Sequence, residues 1–261
     1  TAKLEKPVVD ENLVIPHCIA KVTIHKLPFA GTGRALNSYI CSVSTNDETS
    51  RTVAVQLLKV KAVRLRPAEP FTWASGWRSP IYCDNRITLS YPEIRTYIRQ
   101  ELVRKIRQAF GEPDVIAGVA TAAIAQGALV AEAMGKPFVY VRSSAKDHGR
   151  QNLIEGEVKE GQSVVVIEDL VSTGQSSLKA VQALREAGCT VKGMAAVFTY
   201  GFPQADMNFK DADCPLVTLC DYNVLLHEAM DSGMIHQEQL ETLKKWREHP
   251  EIGRASCRER V

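Results

Sequence analysis

Five short apolar runs constrain this chain most. "VIAGVA" (115–120), "FVYVR" (138–142), "SVVVI" (163–167), "GMAAVFTY" (193–200) and "PLVTLC" (215–220) are continuous rather than alternating. Strands of that kind are buried on both faces, as in a parallel sheet covered by helices. Between them lie helical patterns over Pro92 to Phe110, Thr121 to Met134 before Gly135, and Ser176 to Ala187 before Gly188. Each glycine suits the left-handed position that ends a helix. The alternation predicts an α/β fold, a doubly wound and mainly parallel sheet with helices on both faces. Ligands of such folds gather at the carboxyl ends of the strands. Ser143 to Gln162, "SSAKDHGRQNLIEGEVKEGQ", shows no helical pattern, and so long a connection is expected to serve function as a mobile loop over the active site.

Composition removes several classes of partner. The 261 residues carry a net charge of +2 with Lys and Arg spread along the chain, so no footprint for nucleic acid stands out. Seven cysteines without a C-x-x-C pair argue against a disulfide framework or a cysteine zinc site and favour a reducing, cytoplasmic setting. No apolar run approaches the roughly twenty residues of a membrane helix, and no signal peptide is expected.

The stretch "VVVIEDLVSTGQSS" (164–177) carries the chemistry. Val164 to Ile167 reads as strand, Leu170 to Gly174 as turn, and a helix is expected from Gln175 or Ser176. Turn N–H groups and the helix dipole would then converge on an anion. No G-K-[ST] follows, and Gly174 is the stretch's only glycine, which excludes a Walker loop and a dinucleotide fingerprint. Glu168 and Asp169 would repel a bare phosphate, yet they suit vicinal hydroxyls of a sugar that carries one. A ribose 5-phosphate fits that description. The bland alternative is a pair of solvated or helix-capping acids beside ordinary turn residues.

The same stretch resembles the phosphoribosyl pyrophosphate motif of the type I phosphoribosyltransferases. "FTWASGWRSPIYCDNR" (71–86), "VIAGVATAAIAQGALVAEAMGKPFVYVR" (115–142) and "AKDHG" (145–149) resemble, in order, segments of the orotate phosphoribosyltransferases. The resemblance runs from about Val53 to Glu251. It implies transfer of ribose 5-phosphate from phosphoribosyl pyrophosphate to orotate, giving orotidine 5-monophosphate and pyrophosphate in pyrimidine synthesis. Glu168 and Asp169 would bind the ribose hydroxyls, and Leu170, Val171, Ser172, Thr173, Gly174, Gln175 and Ser176 would form the loop around the 5-phosphate, with Ser172 also near orotate. Arg142, Lys146 and His148 match residues that meet the pyrophosphate. Also implied are Mg2+, held chiefly by substrate oxygens with no protein ligand named, and a homodimer in which each loop closes over the neighbouring site. A purine or xanthine phosphoribosyltransferase, or a regulator that senses phosphoribosyl pyrophosphate, are the competing readings.

The chain departs from some relatives at Ala74, at Thr121 and Ala122, and near Tyr200, where an arginine contacts orotate in some members. Main-chain groups around Tyr82 and Cys83 are an alternative source of base contacts. Residues 1–50 are expected to be an extension or non-native read-through, 51–251 the catalytic domain, and 252–261 a tail, because "IGRASCRERV" resembles one frame of a sequencing adapter.

Overall fold

A computed structural model describes residues 48–72, 78–143 and 153–250. The chain enters through helix α1 (Glu48–Lys59). Val53, Ala54 and Leu57 on its inner face have no exposed surface, and burying an aliphatic side chain of Val or Leu size contributes about 1.5–3 kcal/mol. Short strands β1 (Val63–Leu65), β2 (Phe71–Thr72), β3 (Arg78–Ser79) and β4 (Ile81–Cys83) follow. They pair as two antiparallel ribbons, β1 with β4 and β2 with β3. A 3-10 turn over Asn85–Ser90 is capped by the Asp84 carboxylate, which accepts from the backbone of Arg86. Helix α2 (Pro92–Phe110) spans the predicted residues, opening on a proline suited to the first turn.

The central unit alternates as expected: β5 (Val115–Val119), α3 (Ile124–Met134), β6 (Phe138–Val141), β7 (Ile154–Glu155), β8 (Ser163–Val171), α4 (Gln175–Glu186), β9 (Thr190–Thr199), α5 (Pro203–Asp211), β10 (Leu216–Asp221), α6 (Tyr222–Asp231) and α7 (Gln237–Glu248). The sheet order is β10-β9-β8-β5-β6-β7. All neighbours pair in parallel except β7, which runs against β6 through Tyr140 to Glu155 and Val141 to Ile154. The α/β expectation holds, and β5 and β8 are buried along almost their whole length. No helix among the described residues is long and apolar enough to cross a membrane.

Three expectations need correction. The connection after Arg142 is not wholly irregular, since it contains β7. Helix α3 starts at Ile124 rather than Thr121, because Ala123 and Ile124 first close a turn onto Val119 and Thr121. The strand read as ending at Ile167 runs on to Val171, because the longer β9 keeps pairing beside it, Glu168 with Ala196 and Val171 with Thr199.

Candidate active site

Glu168 and Asp169 therefore lie within the last turn of hydrogen bonding of β8, not beyond it. Both are buried, at 6% and 8% exposure, and successive residues of a strand face opposite sides of the sheet. Glu168 is held. Its Oε2 accepts from the Ser177 hydroxyl at 2.6 Å and its Oε1 from the Asp169 N–H at 2.8 Å. Asp169 is open, because no described residue donates a hydrogen bond to its carboxylate. Its carbonyl, by contrast, is fixed by the Asn85 amide at 2.9 Å.

Burial raises the pKa of Glu168, opposed by the bonds from Ser177 and the backbone of Asp169 and Leu170. Burial, reinforced by the charges of Glu168 and Asp84 and opposed by Arg86, lifts Asp169 to about 7. Arg86 is itself engaged, donating to both carboxylate oxygens of Asp84 at 2.7 and 2.9 Å. Because the folded state binds the Asp169 proton more tightly than the unfolded chain, stability is lost as pH rises from the ordinary carboxylate range through about 7. Asp169→Asn should remove that loss. Its melting temperature relative to the native chain is expected to climb between about pH 5 and about pH 8, and a constant difference in thermal melts would contradict the raised value.

After β8 the chain turns through Ser172, Thr173 and Gly174 into α4. Gly174 adopts φ 77° and is the N-terminal cap of α4, and no side chain caps that helix. The first N–H groups of a helix lack partners within it, so this uncapped end, with Gln175 and Ser176 exposed on it, presents donors to an anion. The turn is braced from behind by α5: the Asn208 amide donates to the Thr173 carbonyl at 2.8 Å. From β9, the Tyr200 N–H and the Thr199 hydroxyl both donate to the Val171 carbonyl, at 3.1 and 3.2 Å.

The structure thus brings together Glu168, Asp169, Leu170, Val171, Ser172, Thr173, Gly174, Gln175 and Ser176 around the carboxyl end of β8. Arg142 stands at the carboxyl end of β6, two strands away in the same sheet. Its backbone N–H donates to Leu153 at 2.9 Å and its guanidinium meets Glu155 at 3.4 Å, so β7 seats it. Lys146 and His148 lie outside the described residues, as do Ala74 and the terminal segments 1–47 and 251–261. Tyr200, directly after β9, is 2% exposed and packs against Phe198, Phe202, Tyr222 and Trp246. One edge of β4, with Tyr82 and Cys83, is taken by β1.

Four supporting residues escaped the sequence reading. Ser177 lay in the quoted stretch, one residue beyond the assigned loop, and Asn85 lay in a quoted segment. Asn208 and Phe209 gave no signal, since their roles arise from contacts with a loop some 35 residues earlier, the Asn208 amide on the Thr173 carbonyl and the Phe209 ring against Gly174.

The family described as "Phosphoribosyl transferase domain" matches residues 90–223. Across 199 residues, 76% of this chain and 95% of the relative, the chain is 60% identical to the orotate phosphoribosyltransferase of Porphyromonas gingivalis. It is 56% identical to that of Cytophaga hutchinsonii over 77% of this chain and 96% of the relative. Among solved structures, the orotate phosphoribosyltransferase from Aeropyrum pernix superposes with a TM-score of 0.62 at 28% identity, covering 70% of this chain and 99% of that one.

Proposed function

The chain belongs to the orotate phosphoribosyltransferases, and from that premise we propose that it transfers ribose 5-phosphate from phosphoribosyl pyrophosphate to orotate, releasing pyrophosphate. The observation that carries the reading is the buried acid pair on β8, one carboxylate held and the other open, directly beside the uncapped start of α4. A sugar with free hydroxyls and a 5-phosphate satisfies both halves at once.

In the reaction, N1 of orotate gives up its proton to the departing pyrophosphate or to water and forms a bond to C1 of the ribose as the bond from C1 to the pyrophosphate oxygen breaks, with inversion. Asp169, ionised above about pH 7, accepts from the ribose hydroxyls, and Glu168 braces it through its N–H. The turn from Ser172 to Ser176 anchors the 5-phosphate, fixing C1 relative to both reactants. Arg142 and Lys146 meet the negative charge that grows on the departing pyrophosphate. His148 donates a hydrogen bond there.

Magnesium suits this donor set. The open carboxylate of Asp169 adds an oxygen beside the sugar hydroxyls, and magnesium typically keeps few protein ligands beside substrate phosphates. It would supply positive charge at the leaving group. The other acid cluster among the described residues, His227, Glu228 and Asp231, is on α6, where Arg51 occupies Glu228 at 2.6 Å.

On this reading Asp169→Asn weakens phosphoribosyl pyrophosphate binding by about 1–3 kcal/mol, measured by calorimetry; unchanged affinity would remove Asp169 from the site. Residues 51–251 form the catalytic domain of a cytoplasmic homodimer with shared active sites. The test is to supply phosphoribosyl pyrophosphate and magnesium with orotate, a purine base or xanthine, to the whole chain and to a chain spanning 48–251, and to measure mass in solution. Orotate turnover by a dimer of either length is expected. Turnover of a purine base alone, or binding of phosphoribosyl pyrophosphate without turnover, would replace the reading by one of its competitors.

A further inference from the structure

We propose that Arg247 of α7 recognises the carboxylate of the acceptor base and so sets the preference for orotate over bases that lack one. The inference rests on the orotate reading above and adds the residue that reads the base.

Inversion requires the base to approach C1 from the side opposite the leaving group. Arg142, the described cation for the pyrophosphate, stands at the end of β6, and the ribose acids stand on β8. In the sheet order β10-β9-β8-β5-β6-β7 the opposite side is the carboxyl end of β9. Orotate brings a negative charge there. A carboxylate withdrawn from water needs a charge-assisted partner, and a guanidinium is the best matched.

Arg247 is placed for that task. Its Nη1 donates to the Gly201 carbonyl at 3.3 Å. The Gly201 N–H donates to the Thr199 hydroxyl at 3.1 Å, and that hydroxyl donates to the Val171 carbonyl at 3.2 Å. The residue after Val171 is Ser172. Three hydrogen bonds in series thus tie the guanidinium to the mouth of the β8 turn. Trp246, its neighbour in sequence, locks α7 in place against Tyr200, Phe202 and Tyr222, and the Tyr222 hydroxyl is committed to the Leu243 carbonyl at 3.1 Å.

The remaining donors of Arg247 are what separates it from its rivals. A guanidinium has five N–H groups, and no carboxylate of a described residue lies within ion-pair distance of this one; Asp206 acts on it only at longer range. Arg86 has both oxygens of Asp84, and Arg142 has Glu155 on the wrong side of the ribose.

Nucleotides that differ by the carboxylate alone test the assignment without turnover. Orotidine 5-monophosphate and uridine 5-monophosphate are titrated by calorimetry into the native chain, R247Q and R247K, with KM for orotate and for phosphoribosyl pyrophosphate measured alongside. R247Q should weaken orotidine 5-monophosphate about tenfold or more, the loss of a charge-assisted bond, and raise KM for orotate in step. Affinity for uridine 5-monophosphate and KM for phosphoribosyl pyrophosphate should stay within about twofold. R247K, which keeps a cation, should retain part of the preference. Equal weakening of both nucleotides would reduce Arg247 to a tether between α7 and Gly201, and an unchanged ratio in R247Q would remove it from the base site. Either result leaves the orotate reading standing, which falls only if the native chain fails to convert orotate.

Discussion

Gly174→Val is expected to lower the melting temperature by roughly 5 °C or more and to raise KM for phosphoribosyl pyrophosphate by more than about tenfold. Two costs coincide at this position. The backbone sits at φ 77°, where a side chain is strained by about 1–2 kcal/mol and a β-branched one by more. A Cβ there would also come within 2.5 Å of Cε2 and 3.1 Å of Cδ2 of Phe209. That ring has no exposed surface, so it has nowhere to retreat, and overpacking of this kind adds about 1–3 kcal/mol. The turn would relieve itself by lifting away from α5, breaking the bond from Asn208 to Thr173 and misaiming the N–H groups at the start of α4. Gly174→Ala combined with Phe209→Leu separates the two costs, since the smaller side chain removes the collision and leaves the dihedral strain. Partial recovery of melting temperature and KM is expected. A Gly174→Val protein with native melting and native KM would mean that the turn holds no phosphate.

Lys146→Ala is expected to reduce kcat by about 10²–10³-fold, the scale of losing one group that stabilises transition-state charge, while affinity for phosphoribosyl pyrophosphate changes by no more than about threefold. The asymmetry follows from timing. On the proposed reading Arg142, held by Glu155 and Leu153, meets the leaving group from the outset, so its charge would act on bound substrate and transition state alike. Lys146, on the same reading, would have most effect when the bond from C1 to oxygen stretches and charge accumulates on the pyrophosphate. Single-turnover rates with affinity measured separately decide the matter. Loss of affinity and rate by the same factor would show that Lys146 only binds.

The parallel sheet was legible because its strands are buried on both faces and read as unbroken apolar runs; α2 was legible to the residue because Pro92 and Gly111 mark its ends. The extension of β8 through Glu168 and Asp169 was not, since two adjacent acids contradict any apolar pattern and only the neighbouring β9 reveals that the ladder continues. Strand β7 has two residues, too few for a period. The acid pair and the glycine turn announced a sugar phosphate, but the division of labour between the acids came from contacts across long intervals. Ser177 reaches back 9 residues to hold Glu168, and Asn85 crosses 84 residues to hold the Asp169 carbonyl. No local pattern encodes such pairings.

The antiparallel pairing that seats Arg142 also governs how safely the sheet can be exposed to other chains. Without Ile154 and Glu155, β6 would be the outermost strand, and its run "FVYV" would offer an unpaired ladder of N–H and C=O groups flanked by apolar side chains. Such an edge is a template for joining sheet to sheet. β7 covers Tyr140 and Val141 and puts a carboxylate, Glu155, at the rim. It is too short to recruit a further strand of its own. The same two-residue strand thus covers the edge of β6 and holds Arg142, so a change that loosens one would loosen the other.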